Sequence, residues 1–168
     1  MVKLYNNFKI KNSHKNSIIL IGNFDGLHNG HQKLFNIARS YKKKNSLNIG
    51  VLTFEPMPKM YFNKKIKNFR ISDWQQKINY LNKLKVDFVI TKKFDRTFSK
   101  IKSKTFIKEI IGKKLKPKFI FVSNNFKFGN KRKGNLNLIK KFEKEYDYKL
   151  IKIFPHKYKN KIISSTRI

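Results

Sequence analysis

The chain contains the stretch Ser17-Ile18-Ile19-Leu20-Ile21-Gly22-Asn23-Phe24-Asp25-Gly26-Leu27-His28-Asn29-Gly30-His31-Gln32. Its first part, residues 17–22, is a short apolar run of the kind that forms a strand buried on both faces. Its second part holds three glycines within nine residues and leads into residues 30–44, where apolar side chains recur at helical spacing. A buried strand, a glycine-rich turn and a helix in this order predict the first unit of a parallel α/β fold.

The same alternation of apolar runs and amphipathic stretches continues along the chain. Further strands are predicted at residues 47–54, 86–91, 119–123 and 149–154. Further helices are predicted to begin at Ser72 and to cover residues 103–112 and 135–146. The fold class predicted is a Rossmann-like, doubly wound α/β fold, with five parallel strands and helices on both faces of the sheet.

Two features outside the strands carry local predictions. Ser72 is predicted to be the N-cap of its helix, with Gln75 completing a capping box. The segment before it, from Pro56 to Arg70, is expected to form a loop or a small excursion, because its prolines end the preceding strand and no clear periodicity follows.

Lysine dominates the charge of the chain. Lys and Arg number 41 against 9 Asp and Glu, a formal net charge of +32, and only five of the 41 are Arg. Proteins that read nucleic acids rely on the bidentate fork of Arg, and Lys, Asn, Ile and Phe share A/T-rich codons. The excess is therefore interpreted as a solvated lysine coat produced by codon bias. Nonspecific adhesion to polyanions is expected, and a specific nucleic-acid partner is not.

Cysteine is absent from the chain, which excludes disulfides, thiolate catalysis and cysteine-type zinc sites. The only apolar run near the N-terminus is too short for a signal peptide or a membrane span. The 168 residues are expected to form one domain. A cytoplasmic, soluble protein without membrane contact is predicted.

Ligands of doubly wound sheets bind at the carboxyl ends of the strands, where residues 22–31 are expected. Glycines let backbone N–H groups approach a ligand, and a helix N-terminus favours an anion. His28 and His31 lie three residues apart in the first helical turn and can both donate to phosphate oxygens. The favoured interpretation is a phosphate-binding loop.

Other interpretations of the same loop remain open. One is a glycine-rich turn with incidental histidines, and another is a metal site formed by Asp25, His28 and His31. A dinucleotide-binding loop is disfavoured, because the G-x-G-x-x-G pattern is absent and no acidic residue ends the second strand.

Four short motifs occur in order along the chain: GNFDGLHNGHQ at 22–32, TFEPMP at 53–58, NFKFG at 125–129 and ISSTRI at 163–168. Together they resemble the bacterial FAD synthetases of the H-x-G-H nucleotidyltransferase superfamily, and the form of the first motif is close to specific for that branch. Two positions depart from the family pattern. Met57 stands where the family usually has His, and Ser123 stands where Gly is usual.

The resemblance implies that residues 1–168 form an FMN adenylyltransferase domain, which joins ATP, accompanied by Mg²⁺, to FMN and gives FAD and pyrophosphate. No dedicated metal-ligand set is expected. The riboflavin kinase domain of the bifunctional enzymes is absent from these residues, so another chain or a missing C-terminal part would supply FMN. The FMN phosphate is ionised at pH 7, so positioning and charge neutralisation suffice without a general base.

The resemblance also implies roles for particular residues. His28 and His31 would be catalytic, stabilising charge on the α-phosphate and on the leaving pyrophosphate. Besides the two histidines, the expected ATP-binding residues are Gly22, Asn23, Phe24, Ser164, Ser165, Thr166 and Arg167. The expected FMN-binding residues are Phe54, Pro56, Pro58, Asn125, Phe126 and Phe128.

Two alternative functions are kept: a related adenylyl- or cytidylyltransferase with another phosphorylated acceptor, and a noncatalytic basic nucleic-acid-binding domain. The motifs at 53–58 and 163–168 favour the flavin branch over the first alternative. The second predicts aromatic side chains interleaved with Arg, which the basic runs at 42–44 and 131–133 lack.

Overall fold

The structure is a computed structural model, and it describes residues 1–26, 29–66, 73–154, 157–158 and 161–162. Its centre is a parallel sheet of six strands: β1 Lys3–Tyr5, β2 Ile18–Ile21, β3 Ile49–Glu55, β4 Phe88–Lys93, β5 Phe119–Ser123 and β6 Lys149–Ile153. The strands lie in the order β1-β4-β3-β2-β5-β6, and every neighbouring pair is parallel. The predicted α/β class with a parallel sheet is confirmed.

The predicted number of five strands is wrong, because β1 adds a sixth. This strand has only three residues and pairs with β4 alone, at one edge of the sheet. An edge strand buries little surface, and Lys3 and Leu4 are both exposed. The apolar run that announces a central strand is therefore missing from its sequence.

The described helices lie between the strands: α1 Asn29–Asn45, α2 Pro58–Phe62, α3 Trp74–Lys83, α4 Arg96–Ser99, α5 Ser103–Thr105, α6 Leu136–Lys141 and α7 Glu143–Tyr146. Helix α5 continues as a π-helix over Phe106–Leu115. Short 3₁₀ turns cover Asn12–His14 and Asn130–Arg132, and a small antiparallel ladder pairs β7 Lys157–Tyr158 with β8 Lys161–Ile162. None of the helices in the described part of the chain is long and apolar enough to cross a membrane.

The helix expected at 103–112 does not end at Gly112. A Cβ atom at Gly112 would lie 2.4 Å from Cδ1 of Tyr146, so the glycine permits close packing inside the helix rather than ending it. The helical segment ends instead at Lys116, which takes a left-handed conformation with φ 47°. The helix expected at 135–146 is also interrupted, because α6 and α7 are separated at Phe142.

The segment before α3 departs from the prediction only at its helix cap. Pro58 starts the short helix α2, which is compatible with the expected small excursion, and the missing N–H of proline costs no helical hydrogen bond there. The N-cap of α3 is Asp73, not Ser72, which lies outside the described residues. Asp73 and Gln76 form a capping box, one residue later than the predicted one.

Both faces of the sheet are covered by helices, as predicted. Ile19 and Ile21 of β2 join a core with the long helical segment after β4, while Ile18 and Leu20 join a second core with α1 and α3. All four side chains of β2 are buried. A strand buried on both faces accounts for the unbroken apolar run that the sequence shows there.

A half-buried imidazole connects the segment between β1 and β2 to the sheet. His14 stacks on Phe88 of β4 with ring centroids 4.4 Å apart and planes 10° apart. The hydroxyl of Tyr5 lies 2.8 Å from Nδ1 of His14. Burial lowers the pKa of His14, and the positive charge of Lys11 lowers it further. The folded chain therefore favours the neutral imidazole.

Candidate active site

The candidate site lies at the carboxyl edge of the sheet, where β2, β3 and β5 end side by side. The chain steps from β2 to β3 and β4 on one side and then returns to β5 on the other, so the winding reverses between β2 and β5. Ligands of open α/β sheets bind at such a switch point. The loop after β2 and the start of α1 with His31 lie at this point.

The loop after β2 contains two residues with left-handed backbone conformations. Phe24 has φ 49° and Gly26 has φ 53°. The conformation suits glycine but costs a non-glycine residue about 1 kcal/mol or more. The ring of Phe24 is buried and packs against Phe35 and His31 of α1, with centroids 5.4 Å away in each case. Packing of this ring therefore holds the strained loop against the helix.

Gly22 allows this arrangement, because a Cβ atom there would lie 3.1 Å from Cζ of Phe24. The ring of Phe24 is thus enclosed between Gly22 and α1, and only its backbone is available to a ligand. Of the predicted ATP-binding residues, the structure brings together Gly22, Asn23, Phe24 and His31. His28, Ser164, Ser165, Thr166 and Arg167 lie outside the described residues.

Two polar residues that the sequence analysis did not single out form hydrogen bonds with the loop after β2. Lys77 of α3 donates hydrogen bonds to the carbonyl oxygen of Asn23 and, over 2.9 Å, to Oγ1 of Thr53. Thr53 is fully buried in β3, and Lys77 is 7% exposed. The sequence held a signal for this, since Lys77 lies three residues after Trp74 and four before Leu81, on the apolar stripe of α3.

Acidic groups at the loop do not form a metal site with the other described residues. Asp25 is 5% exposed. Within residues 1–26, 29–66, 73–154, 157–158 and 161–162, no three His, Asp or Glu side chains gather closely enough to hold a metal ion. The alternative site of Asp25, His28 and His31 includes a residue outside this part of the chain, so it stays a sequence-based hypothesis.

A row of aromatic rings connects the loop after β3 to the loop after β5. Consecutive ring centroids in this aromatic row lie 5.3–6.4 Å apart, in the order Phe62, Phe94, Phe98, Phe106, Phe128, Phe126. Phe98, Phe106 and Phe128 are buried, whereas Phe62 is 68% exposed and Phe126 is half-buried. The middle of the row is core, and its two ends reach the surface.

The predicted FMN-binding residues fall into two groups, those in the core and those nearer the surface. Phe54 and Phe128 lie in the hydrophobic core, and Phe54 packs against Phe98 with centroids 5.6 Å apart. Pro56 and Pro58 are half-buried, and Met57 between them is buried. Phe62 was missed by the sequence analysis, because a Phe in a segment without periodicity gave no sign of its exposure.

The loop after β5 is held against α5. Gly129 has φ 76°, and a Cβ atom there would lie 2.7 Å from Cα of Ser103. Phe128 and Gly134 exchange two backbone hydrogen bonds, of 3.2 and 2.8 Å, which close the loop. Asn125 is exposed at its start, and its Oδ1 accepts a hydrogen bond of 2.8 Å from Ser123.

Comparison with known proteins shows the family to which the chain is similar. Residues 10–167 match the model of a family described as FAD synthetase. The chain is 42% identical over 160 residues to the bifunctional riboflavin kinase/FMN adenylyltransferase of Buchnera aphidicola subsp. Schizaphis graminum, covering 95% of this chain and 51% of that protein. It is 39% identical over 130 residues to the protein of the same name from Haemophilus influenzae, covering 77% and 42%. The chain spans about half the length of the curated relatives it matches.

Solved structures share the fold. A Streptococcus pneumoniae protein described as a macrolide-efflux protein superimposes with a TM-score of 0.79 and 26% identity, over 99% of this chain and 54% of that one. The pantoate-beta-alanine ligase of Francisella tularensis superimposes with a TM-score of 0.64 and 17% identity, over 99% and 72%. The second likeness concerns the fold alone.

Proposed function

This chain belongs to the FAD synthetase family, and on that premise we propose that it acts as an FMN adenylyltransferase, transferring AMP from ATP to FMN. The observation that carries the proposal is the loop after β2 at the switch point of the sheet, whose strained backbone leads directly into α1 and His31. Such a loop favours an anion, and the reaction joins two phosphate-bearing substrates. The 53–58 motif at the end of β3 and the 125–129 motif after β5 lie on the two sides of β2, and they supply the second substrate's side of the site.

In the proposed reaction, an oxygen of the FMN phosphate attacks the α-phosphorus of ATP. A new P–O bond forms, the bond from the α-phosphorus to the bridging oxygen of the β-phosphate breaks, and pyrophosphate leaves with the electron pair. No proton has to be removed from the attacking oxygen, since it is already ionised. The protein has to align the substrates and to offset the concentrated negative charge.

Hydrogen-bond donors at the start of α1 offset the negative charge of the phosphates. His28 and His31 donate to the α-phosphate and to the leaving pyrophosphate, together with backbone N–H groups near Asn23 and Phe24. ATP enters as its Mg²⁺ complex, in which phosphate oxygens and water hold most of the coordination sphere. The triphosphate is bound by the residues of the last motif, Ser164, Ser165, Thr166 and Arg167. Arg167 binds it with its guanidinium fork.

The flavin is proposed to lie along the loops after β3 and β5. Pro56 and Pro58 offer rigid apolar contacts to the ring system, and the half-buried Phe126 offers a ring face. Phe54 and Phe128 act from the core by holding these groups in place. Phe62, at the exposed end of the aromatic row, is added to the flavin-binding set because a large exposed ring beside these prolines gains by packing on a planar ligand.

The net charge of +32 assists the reaction indirectly, because it attracts anionic substrates at low ionic strength. The proposal places the enzyme in the cytoplasm, in accord with the absence of cysteine. The curated relatives are named as bifunctional with a riboflavin kinase. A riboflavin kinase, in another chain or in a further part of this protein, is proposed to supply FMN.

The test is incubation of the purified 168-residue chain with FMN, ATP and Mg²⁺, followed by chromatographic detection of FAD and by a pyrophosphate assay. We expect equal amounts of both products. With riboflavin in place of FMN, neither FMN nor FAD is expected from these 168 residues, because the six-stranded sheet and the helices that cover it form the core of the described chain. Product from pantetheine phosphate or nicotinamide mononucleotide, with none from FMN, would instead establish a related transferase.

A further inference from the structure

The ammonium group of Lys77 lies beneath the loop that follows β2. Its Nζ donates to the carbonyl oxygen of Asn23 and to Oγ1 of Thr53, which itself lies 3.3 Å from the same carbonyl oxygen. Lys77 is 7% exposed and Thr53 is fully buried. A buried amine costs free energy unless hydrogen bonds compensate for lost water. An apolar residue would fill this position of α3 at lower cost, so the charged group needs an explanation.

The geometry of the peptide unit between Asn23 and Phe24 supplies one. In a trans peptide, the C=O group and the following N–H group point in opposite directions within one plane. Because the Asn23 carbonyl points down to Lys77 and Thr53, the N–H of Phe24 points away from them. The left-handed Phe24 then turns the chain toward α1.

We propose that Lys77 is a positioning residue for adenylyl transfer. It holds the Asn23–Phe24 peptide unit so that the N–H of Phe24 is preorganised to donate to a phosphate oxygen, and it places a positive charge behind that donor. The inference rests on the proposed function, since it takes the loop to receive the phosphates of ATP. Lys77 touches no substrate and acts through the loop. Thr53, from the 53–58 motif, donates a second hydrogen bond to the same carbonyl oxygen.

The central variant is K77M, which keeps the length of the side chain and removes its charge and its donors. Its matched control is K83M, the same substitution at an exposed lysine of the same helix. We expect kcat for FAD formation to fall about 10²-fold in K77M, the loss typical of a misplaced electrostatic donor. The KM for FMN should stay within about twofold. K83M should retain the wild-type kcat and KM.

A second pair of variants, at Thr53, distinguishes a positioning role of Lys77 from a purely structural one. T53V removes one partner of Lys77 while keeping the shape of the side chain, and T53S keeps the hydroxyl. T53V should lower kcat about threefold to tenfold, the equivalent of one hydrogen bond, whereas T53S should stay close to wild type. If K77M does not fold, this pair decides the question. A folded T53V with the kcat of T53S would then overturn the proposal, as would a folded K77M with wild-type kcat.

Calorimetric titration with ATP in the absence of FMN distinguishes failure of this inference from failure of the proposed function. A wild-type chain that binds ATP but makes no FAD would overturn the proposed function alone. In that event, weaker ATP binding by K77M than by K83M would still support the role of Lys77, and equal binding would overturn it. A wild-type chain that binds no ATP would overturn both.

Discussion

The hydroxyl of Ser123 donates a hydrogen bond of 2.8 Å to Oδ1 of Asn125 at the carboxyl end of β5. This bond uses one lone pair of the amide oxygen and orients the side chain, whose Nδ2 group can donate to a ligand. Serine stands here at a position where the FAD synthetases usually have glycine. The substitution therefore adds a side chain that orients the candidate binding residue beside it.

The first prediction tests this orientation. S123A should raise the KM for one substrate about twofold to tenfold, because one hydrogen bond that orders Asn125 is lost. N125D keeps the acceptor for Ser123 but replaces the Nδ2 donor with a carboxylate oxygen, so its KM should rise at least as much as that of N125A. Measuring the KM for ATP and for FMN separately assigns Asn125 to one substrate. An N125D variant with wild-type constants would contradict the role of the amide as a donor.

The second prediction concerns the imidazole at the start of α1. Both H31A and H31F should lower kcat by roughly 10² to 10³, the usual loss for one donor to a developing charge. H31F preserves a ring against Phe24, whose centroid lies 5.4 Å from that of His31. Q32A, at the exposed neighbouring position, serves as the control. If H31F retained activity while H31A lost it, His31 would act by packing on the loop and not by donation.

The third prediction is a dependence of stability on pH that arises from His14. Because burial lowers its pKa in the folded chain below the ordinary value of 6.5, the unfolded chain binds this proton more readily. The stability that His14 contributes is fully present above pH 6.5 and is lost as the pH falls from 6.5 toward the folded-state pKa. In urea unfolding, the free energy of unfolding should therefore fall more between pH 8 and pH 5.5 for wild type than for H14F.

H14F keeps a ring on Phe88 but cannot titrate and cannot form the hydrogen bond with Tyr5. It should be less stable than wild type at pH 8, by about 1 kcal/mol for the lost hydrogen bond, and the gap should narrow at pH 5.5. Other titrating groups are common to the two proteins and cancel in the difference. If the difference in free energy of unfolding between wild type and H14F were the same at both pH values, His14 would not titrate in this range.

Three strands were predicted to within one residue at each end. β5 has the bounds expected from its apolar run, and β2 and β6 differ by one residue at their ends. In β2 and in the centre of β5, burial on both faces forces an unbroken apolar run, which is visible in the sequence. β1 was missed because its pairing partner, and not its own composition, makes it a strand.

The site was predicted from its motifs but not from its supports. The loop after β2 was expected at the switch point, and the structure places it there. Lys77 was not singled out, although it lies on the apolar stripe of α3. Its role depends on Thr53, 24 residues earlier. The position of Lys77 on the helix indicates burial, but its contact with a distant segment leaves no local pattern.

The last prediction concerns the packing of β3 on β4. A Cβ atom at Gly50 would lie 2.2 Å from Cζ of Phe88, its neighbour across the two strands, so G50A has to displace that ring. Phe88 is fully buried and stacked on His14, which leaves it little room to move. G50A should lower the free energy of unfolding by about 1–3 kcal/mol, the usual cost of overpacking.

A double-mutant cycle shows whether the ring is the cause. F88L shortens the obstructing side chain, so G50A should cost less in the F88L background than in wild type, with a coupling of about 0.5–3 kcal/mol. F121L is the matched control, because Phe121 is equally buried but belongs to the core on the opposite face of the sheet. G50A and F121L should be additive within about 0.5 kcal/mol in urea unfolding. Additivity of G50A with F88L would mean that the destabilisation comes from the backbone of β3 and not from contact with Phe88.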